Sequence, residues 1–164
     1  RNGYEFGVRI AGMGDEWFKA PVNTPIGLYF TGYSAEDGNP DIGDSAITET
    51  IGVGGVAMVA SPGVTRFVGS GGFNDALKTT TEMDRVFISN NSKWTIPTYD
   101  FKGAPLGLDA CKVVELGIEP IINTGIAHKE AGKGQVGAGT VRAPLEAFKK
   151  ALFAYADKLG IDYE

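Results

Sequence analysis

Acidic and hydroxyl side chains crowd one short stretch, Asn39-Pro40-Asp41-Ile42-Gly43-Asp44-Ser45-Ala46-Ile47-Thr48-Glu49-Thr50. A helix beginning at Asp44 would put Asp44, Ser45, Thr48 and Glu49 on one face, because offsets of one, four and five lie side by side. Asp41 precedes them in a loop. Carboxylates and hydroxyls at such a place could position a polar substrate or hold a hard cation, with Asp41 and Asp44 as the metal ligands. The plainer alternative is capping: Asp and Ser are favoured helix starts, and acids in the first turn complement the dipole.

The only histidine stands in a second stretch, Asn123-Thr124-Gly125-Ile126-Ala127-His128-Lys129-Glu130. A neutral imidazole at His128 could act as general base or ligand, Lys129 could hold an anion, and Asn123 and Thr124 offer hydrogen bonds. A surface hairpin with a charged tip is the competing reading. Directly after it comes Gly132-Lys133-Gly134-Gln135-Val136-Gly137-Ala138-Gly139-Thr140-Val141-Arg142, a formal G-x-G-x-x-G. A strand and not a helix should follow those glycines, which argues against dinucleotide binding, and no Gly-Lys-Ser/Thr of a P-loop is present. What remains is bare backbone at Gly134 and Gly137, flanked by Lys133 and Arg142, able to wrap phosphate or carboxylate. A tight hairpin whose glycines admit a neighbouring segment fits the same residues. The catalytic candidates are therefore His128, Lys129, Asp44 and Glu49. The substrate- or anion-binding candidates are Asn123, Thr124, Lys133, Gly134, Gly137, Arg142 and Ser45.

Several elements must hold these groups. Strand patterns cover Tyr4 to Ile10 and Ile26 to Phe30, with a loop from Thr31 to Gly43. A helix opening at Asp44 or Ser45 would continue into Ile51 to Ala60, apolar all round. Its glycines each cost a helix about 1 kcal/mol relative to alanine, so it should be buried on every side. Pro62 starts a short helix to Val68, and Asn74 caps a longer one to Ser89. Strand-like pieces follow at Trp94 to Ile96 and Thr98 to Phe101. Asp109 to Leu116 is a short helix closed by Gly117, and Ile118 to His128 with Gln135 to Arg142 form a hairpin. Pro144 opens an amphipathic helix through Leu159, ended by Gly160. The expected class is α+β (mixed α/β), a mixed sheet with a buried glycine-rich helix and a C-terminal amphipathic helix.

Composition excludes several functions. Net charge is −5 with no basic stripe, which argues against nucleic acid. The longest apolar stretch, Ile51 to Ala60, is too short for a bilayer. The single cysteine, Cys111, reads as an inert core thiol and suits a reducing compartment, the cytoplasm. Glycine is the abnormal entry: 24 of 164 residues, where ordinary usage gives about 11 or 12. The 164 residues make one domain. A start at Arg1, without methionine and close to the first strand, reads as the C-terminal portion of a longer polypeptide.

Two of these stretches, Asn39 to Thr50 and Ile122 to Gly139, resemble the signatures of the oxamate carbamoyltransferase subunit family, encoded beside FdrA-like proteins. The neighbourhoods of Asn2 to Gly7, Trp17-Phe18 and Leu28 to Phe30 are similar too. The resemblance implies carbamoyl transfer between carbamoyl phosphate and oxamate, with oxalurate on the other side, in purine (allantoin) breakdown. It implies small-molecule substrates (oxalurate or oxamate, phosphate or carbamoyl phosphate) and work in a complex with FdrA-like and other subunits, the chain itself being a homo-oligomer. No nucleic acid or membrane partner is expected, and the cofactor is open, a divalent metal ion being the candidate. Two further readings compete: a metal-dependent amide hydrolase using Asp41, Asp44, Glu49 and His128, and a non-catalytic assembly module of a multi-subunit enzyme.

Overall fold

The computed structural model describes residues 1–162. Two short strands, β1 (Glu5–Val8) and β2 (Phe18–Pro21), pair antiparallel. β3 (Ile26–Tyr29) follows, and a loop leads to two 3-10 segments, Ser45–Ile51 and Gly55–Ala60. Helices α1 (Pro62–Phe67) and α2 (Phe73–Asp84) come next, then the hairpin of β4 (Phe87–Ile96) and β5 (Lys102–Leu108). α3 (Ala110–Leu116) leads to the hairpin of β6 (Ile121–Ala127) and β7 (Gln135–Arg142), and α4 (Leu145–Leu159) closes the chain.

The class is α+β, as the alternation of patterns indicates. The single mixed sheet expected is instead three antiparallel sheets: β1-β2, β3-β7-β6 and β4-β5. Short connections make the β4-β5 and β6-β7 hairpins antiparallel, since parallel strands need long crossovers, while β3 joins β7 from a distant part of the chain.

One core holds these sheets together. Its middle is the segment Gly55–Ala60, where Val56, Met58 and Val59 are buried with Met83 of α2, Val113 of α3, Ile122 of β6 and Phe148 of α4. The expected continuous helix from Asp44 to Ala60 is broken. Gly52 (φ 91°) and Gly54 (φ 88°) take left-handed backbone that stops helical propagation. Glycine at these places serves close approach as well: a Cβ on Gly52 would lie 2.6 Å from the Pro105 carbonyl, and one on Gly55 2.7 Å from that of Ile121. The buried segment therefore packs against strands β5 and β6. Gly55 to Val59 are buried as expected, but Ile51, Val53 and Ala60 are exposed, and the helical continuity is lost.

Other boundaries move for local reasons. α2 starts one residue before Asn74, with Gly72 as cap and the Asp75 carboxylate accepting the Gly72 N–H at 2.8 Å. It ends at Asp84, so Phe87–Ser89, expected as helix, begins β4. α3 with Gly117 (φ 63°), the β6-β7 hairpin and α4 with Gly160 (φ 65°) lie where their caps and patterns put them.

Candidate functional site

The loop after β3 runs alongside the edge strand β6 and brings the two motifs together. The Lys129 N–H donates to the Asp37 carbonyl and the Asn39 N–H to the Ala127 carbonyl, both at 2.8 Å, while Gly38 bridges His128. Continued in this register, Asp41 arrives beside Thr124, 83 residues away in sequence. The Thr124 hydroxyl lies 3.3 Å from Asp41 Oδ1 and 3.1 Å from the Gly125 carbonyl, its one proton serving either, and it accepts from Arg1 Nη2 at 3.1 Å.

Arg1 Nε stands 3.0 Å from Asp41 Oδ2, with both side chains nearly sealed, at 3% and 1% exposure. The two atoms are close without the alignment of a hydrogen bond, and Arg1 Nη1 and Asn123 Oδ1 are also buried without a partner. Burial pushes the Asp41 carboxyl above the usual carboxylate range, opposed by the Arg1 charge and the Thr124 hydroxyl.

Glu49 makes the second link between the motifs. Its Oε1 accepts the backbone N–H of Gly55 at 3.2 Å and of Asn123 at 3.1 Å. It is buried, and that desolvation raises its carboxyl against those two N–H groups. Asp44 and Ser45 stay exposed. The polar face expected for an α-helix is thus split: residues four apart lie about 40° apart round an α-helix but about 120° apart round a 3-10 segment, which turns Glu49 away from Ser45 and Thr48 away from Asp44.

His128 is buried at the end of β6. Its Nδ1 accepts the Glu130 N–H at 2.8 Å, so Nδ1 carries no proton and Nε2–H faces Asp37 Oδ1 at 4.0 Å. Tyr33 packs edge-on against the imidazole, with ring centroids 5.8 Å apart. Lys129 is exposed beside it, and Lys133 pairs with Glu130 at 2.9 Å on the surface. The Gly134 carbonyl accepts the His128 N–H. Gly137 lies within β7, paired to β3, where a Cβ would approach the Leu28 carbonyl at 2.5 Å. Arg142 sits at the opposite end of the hairpin, donating to the Glu119 carbonyl at 2.7 Å and to Glu82 Oε2 at 2.6 Å. It does not join Lys133.

The structure therefore gathers Asp41, Glu49, Asn123 and Thr124 at one junction, and His128, Lys129, Lys133 and Gly134 at the neighbouring hairpin tip. Among the described residues no group of three His, Cys, Asp or Glu side chains converges as a metal would need, so Asp41, Asp44, Glu49 and His128 do not form a ligand set.

Two residues at these clusters escape sequence reasoning. Nothing in the type or spacing of Arg1 points to Asp41. Asp37 carries a legible signal: Ser34-Ala35-Glu36-Asp37 reads as a capping box, and the Ser34 N–H donated to its carboxylate at 2.9 Å holds that group below the usual range.

A cleft of about 1230 Å³ opens beside the junction. Arg1, Arg9, Asp44, Glu49 and Asp109 are the charged residues of its lining, which is otherwise mostly apolar, with Phe6, Trp17, Phe87, Leu108 and Phe148 among it. A smaller hollow of about 320 Å³ lies between Gly52–Gly54, Met58, Ser61 and Asn123.

Comparison with known proteins places this fold. The family described as oxamate carbamoyltransferase subunit AllG matches residues 1–45. The oxamate carbamoyltransferase subunit AllG of Escherichia coli (strain K12) is 62% identical over 161 residues, 98% of this chain and 38% of that protein. The uncharacterized protein YahG of the same organism is 44% identical over 161 residues, 98% of this chain and 34% of that protein. A crystal structure of a conserved protein of unknown function from Enterococcus faecalis V583 superposes with a TM-score of 0.92 at 48% identity, over 96% of this chain and 38% of that one. The chain thus spans little more than a third of the length of the relatives it matches.

Proposed function

This chain is a segment of the oxamate carbamoyltransferase subunit family, and on that premise we propose that it forms part of an enzyme moving a carbamoyl group between oxalurate and phosphate in purine (allantoin) breakdown. In the degradative direction a phosphate oxygen attacks the ureido carbonyl carbon of oxalurate. The new C–O bond gives a tetrahedral oxyanion; its collapse breaks the C–N bond, oxamate leaves with a proton on nitrogen, and carbamoyl phosphate remains. Such a site needs donors for two anions and for the oxyanion.

The hairpin tip would supply them. His128 offers Nε2–H to the carbonyl oxygen, while Lys129, Lys133 and the backbone of Gly134 take an anionic group. Asp44 and Ser45, both exposed, would meet the same substrate from the side of the first motif. Glu49 fixes the Asn123 backbone and, with Asp41 and Thr124, holds the two motifs in register. The observation that carries this reading is their side-by-side course, which joins residues 83 apart around one strand edge. FdrA-like and other subunits would complete the enzyme.

The test is phosphate-dependent release of carbamoyl phosphate from oxalurate by the full complex. His128→Ala combined with Lys129→Ala should lower that rate at least tenfold, with the far-ultraviolet circular dichroism retained. An unchanged rate would remove the hairpin tip from the chemistry.

A second reading, a non-catalytic assembly role for this segment, is favoured by one observation: the body of the large cleft is apolar, unlike a seat for small dianions.

A further inference from the structure

The large cleft does not suit the substrates proposed above. Small-molecule sites usually enclose about 300–1,000 Å³; this one measures about 1230 Å³, and its long walls are aromatic and aliphatic. Several of those side chains are left open to solvent, Ile47 at 74%, Ile88 at 68% and Trp17 at 56%. An exposed apolar concavity of this size is a surface suited to packing against other polypeptide.

The relatives indicate which polypeptide. Nearly two thirds of their length lies outside the matched region. In the Enterococcus faecalis crystal structure the matched portion keeps this fold, at a TM-score of 0.92, within a chain more than twice as long. The rest of such a chain has to bury its own apolar surface, and the cleft offers it an apolar concavity of about 1230 Å³.

We infer that the cleft is an intramolecular seat, filled by an apolar segment from the part of the family polypeptide outside these 164 residues. That segment would cover Ile47, Ile88 and Trp17 and leave the charged lining residues, Arg9, Asp44 and Asp109 among them, as the polar margin of the contact. The inference rests on family membership and on the cleft, not on carbamoyl transfer.

Cys111 is a reporter for it, because it is exposed here and lines the cleft. Glu115, one turn further along α3, is exposed and lies outside the cleft lining. The full-length family polypeptide bearing this segment, with Glu115→Cys introduced, is treated with a maleimide while diluted to a monomer, and modification at the two positions is followed by peptide mass spectrometry. The expected result is modification at Cys111 at least tenfold slower than at position 115. Equal rates overturn the inference. Protection of Cys111 that appears only at high concentration identifies a second copy as the occupant, and protection only on adding the other subunits identifies a partner; either outcome overturns it too. Failure of the carbamoyl-transfer assay would leave this result untouched.

Discussion

Two carboxylates held away from water, Asp41 and Glu49, give the junction its chemistry, and each is held by different means. Asp41 has a cation and a hydroxyl; Glu49 has two backbone N–H donors. Thr124 is the hinge of the first arrangement. Thr124→Val keeps the shape but removes the acceptor for Arg1 and the donor to Asp41, and should lower stability by about 1–3 kcal/mol. Urea unfolding would show this as a lower midpoint with an unchanged slope, and Thr124→Ser should recover most of it. Glu49 governs a pH dependence. Burial raises its folded carboxyl above the ordinary glutamate value, so the protonated form is the one folding favours. Its contribution is therefore complete below that value and is lost as pH rises through the higher folded one. Measured as the stability difference between the natural chain and Glu49→Gln, the curve should fall with rising pH across the mildly acidic range; a flat or rising curve would contradict the burial of Glu49. At this scale the sequence was only half legible. Residue types alone pointed to Asp41, Glu49, Asn123 and Thr124, because acids and amides cluster in two short motifs. Arg1 was invisible, since a lone arginine says nothing about a partner forty residues on.

Elements were most legible where a local signal ends them. Gly117 and Gly160 take left-handed backbone at the ends of α3 and α4, and Asp109 accepts N–H groups at the start of α3. The failure lies between Asp44 and Ala60, where apolar periodicity fits one helix and tertiary packing demands two 3-10 segments with a break. Gly54 tests the cause. Its φ of 88° resembles the 86° of Gly132, but a Cβ at Gly54 would collide with the Glu49 carboxylate while one at Gly132 meets open space. Gly132→Ala should cost about 1 kcal/mol from backbone strain alone. Gly54→Ala should cost a further 1–3 kcal/mol or so, from overpacking against Glu49 and from a ψ of −133° that glycine alone adopts freely. Thermal unfolding of the two variants side by side checks this, and equal losses would mean that the Glu49 contact constrains nothing.

On the scale of the whole molecule, three separate antiparallel sheets share a single core, and no helix among the described residues is long and apolar enough to cross a membrane. Strand pairing between β3, β7 and β6 could not be read from pattern, because a strand's period gives its faces but not its neighbours. The same long-range pairing has a consequence in time. Asp37 to Glu49 leave the ribosome well before Asn123 and Thr124, and the junction requires closing a loop of 83 residues, an entropic step that slows folding. Until β6 emerges, the acids of the first motif have water for company and no strand to lie against. The polar junction therefore forms only after β6 has been made, and a ribosome stalled before β6 would hold the first motif without the second.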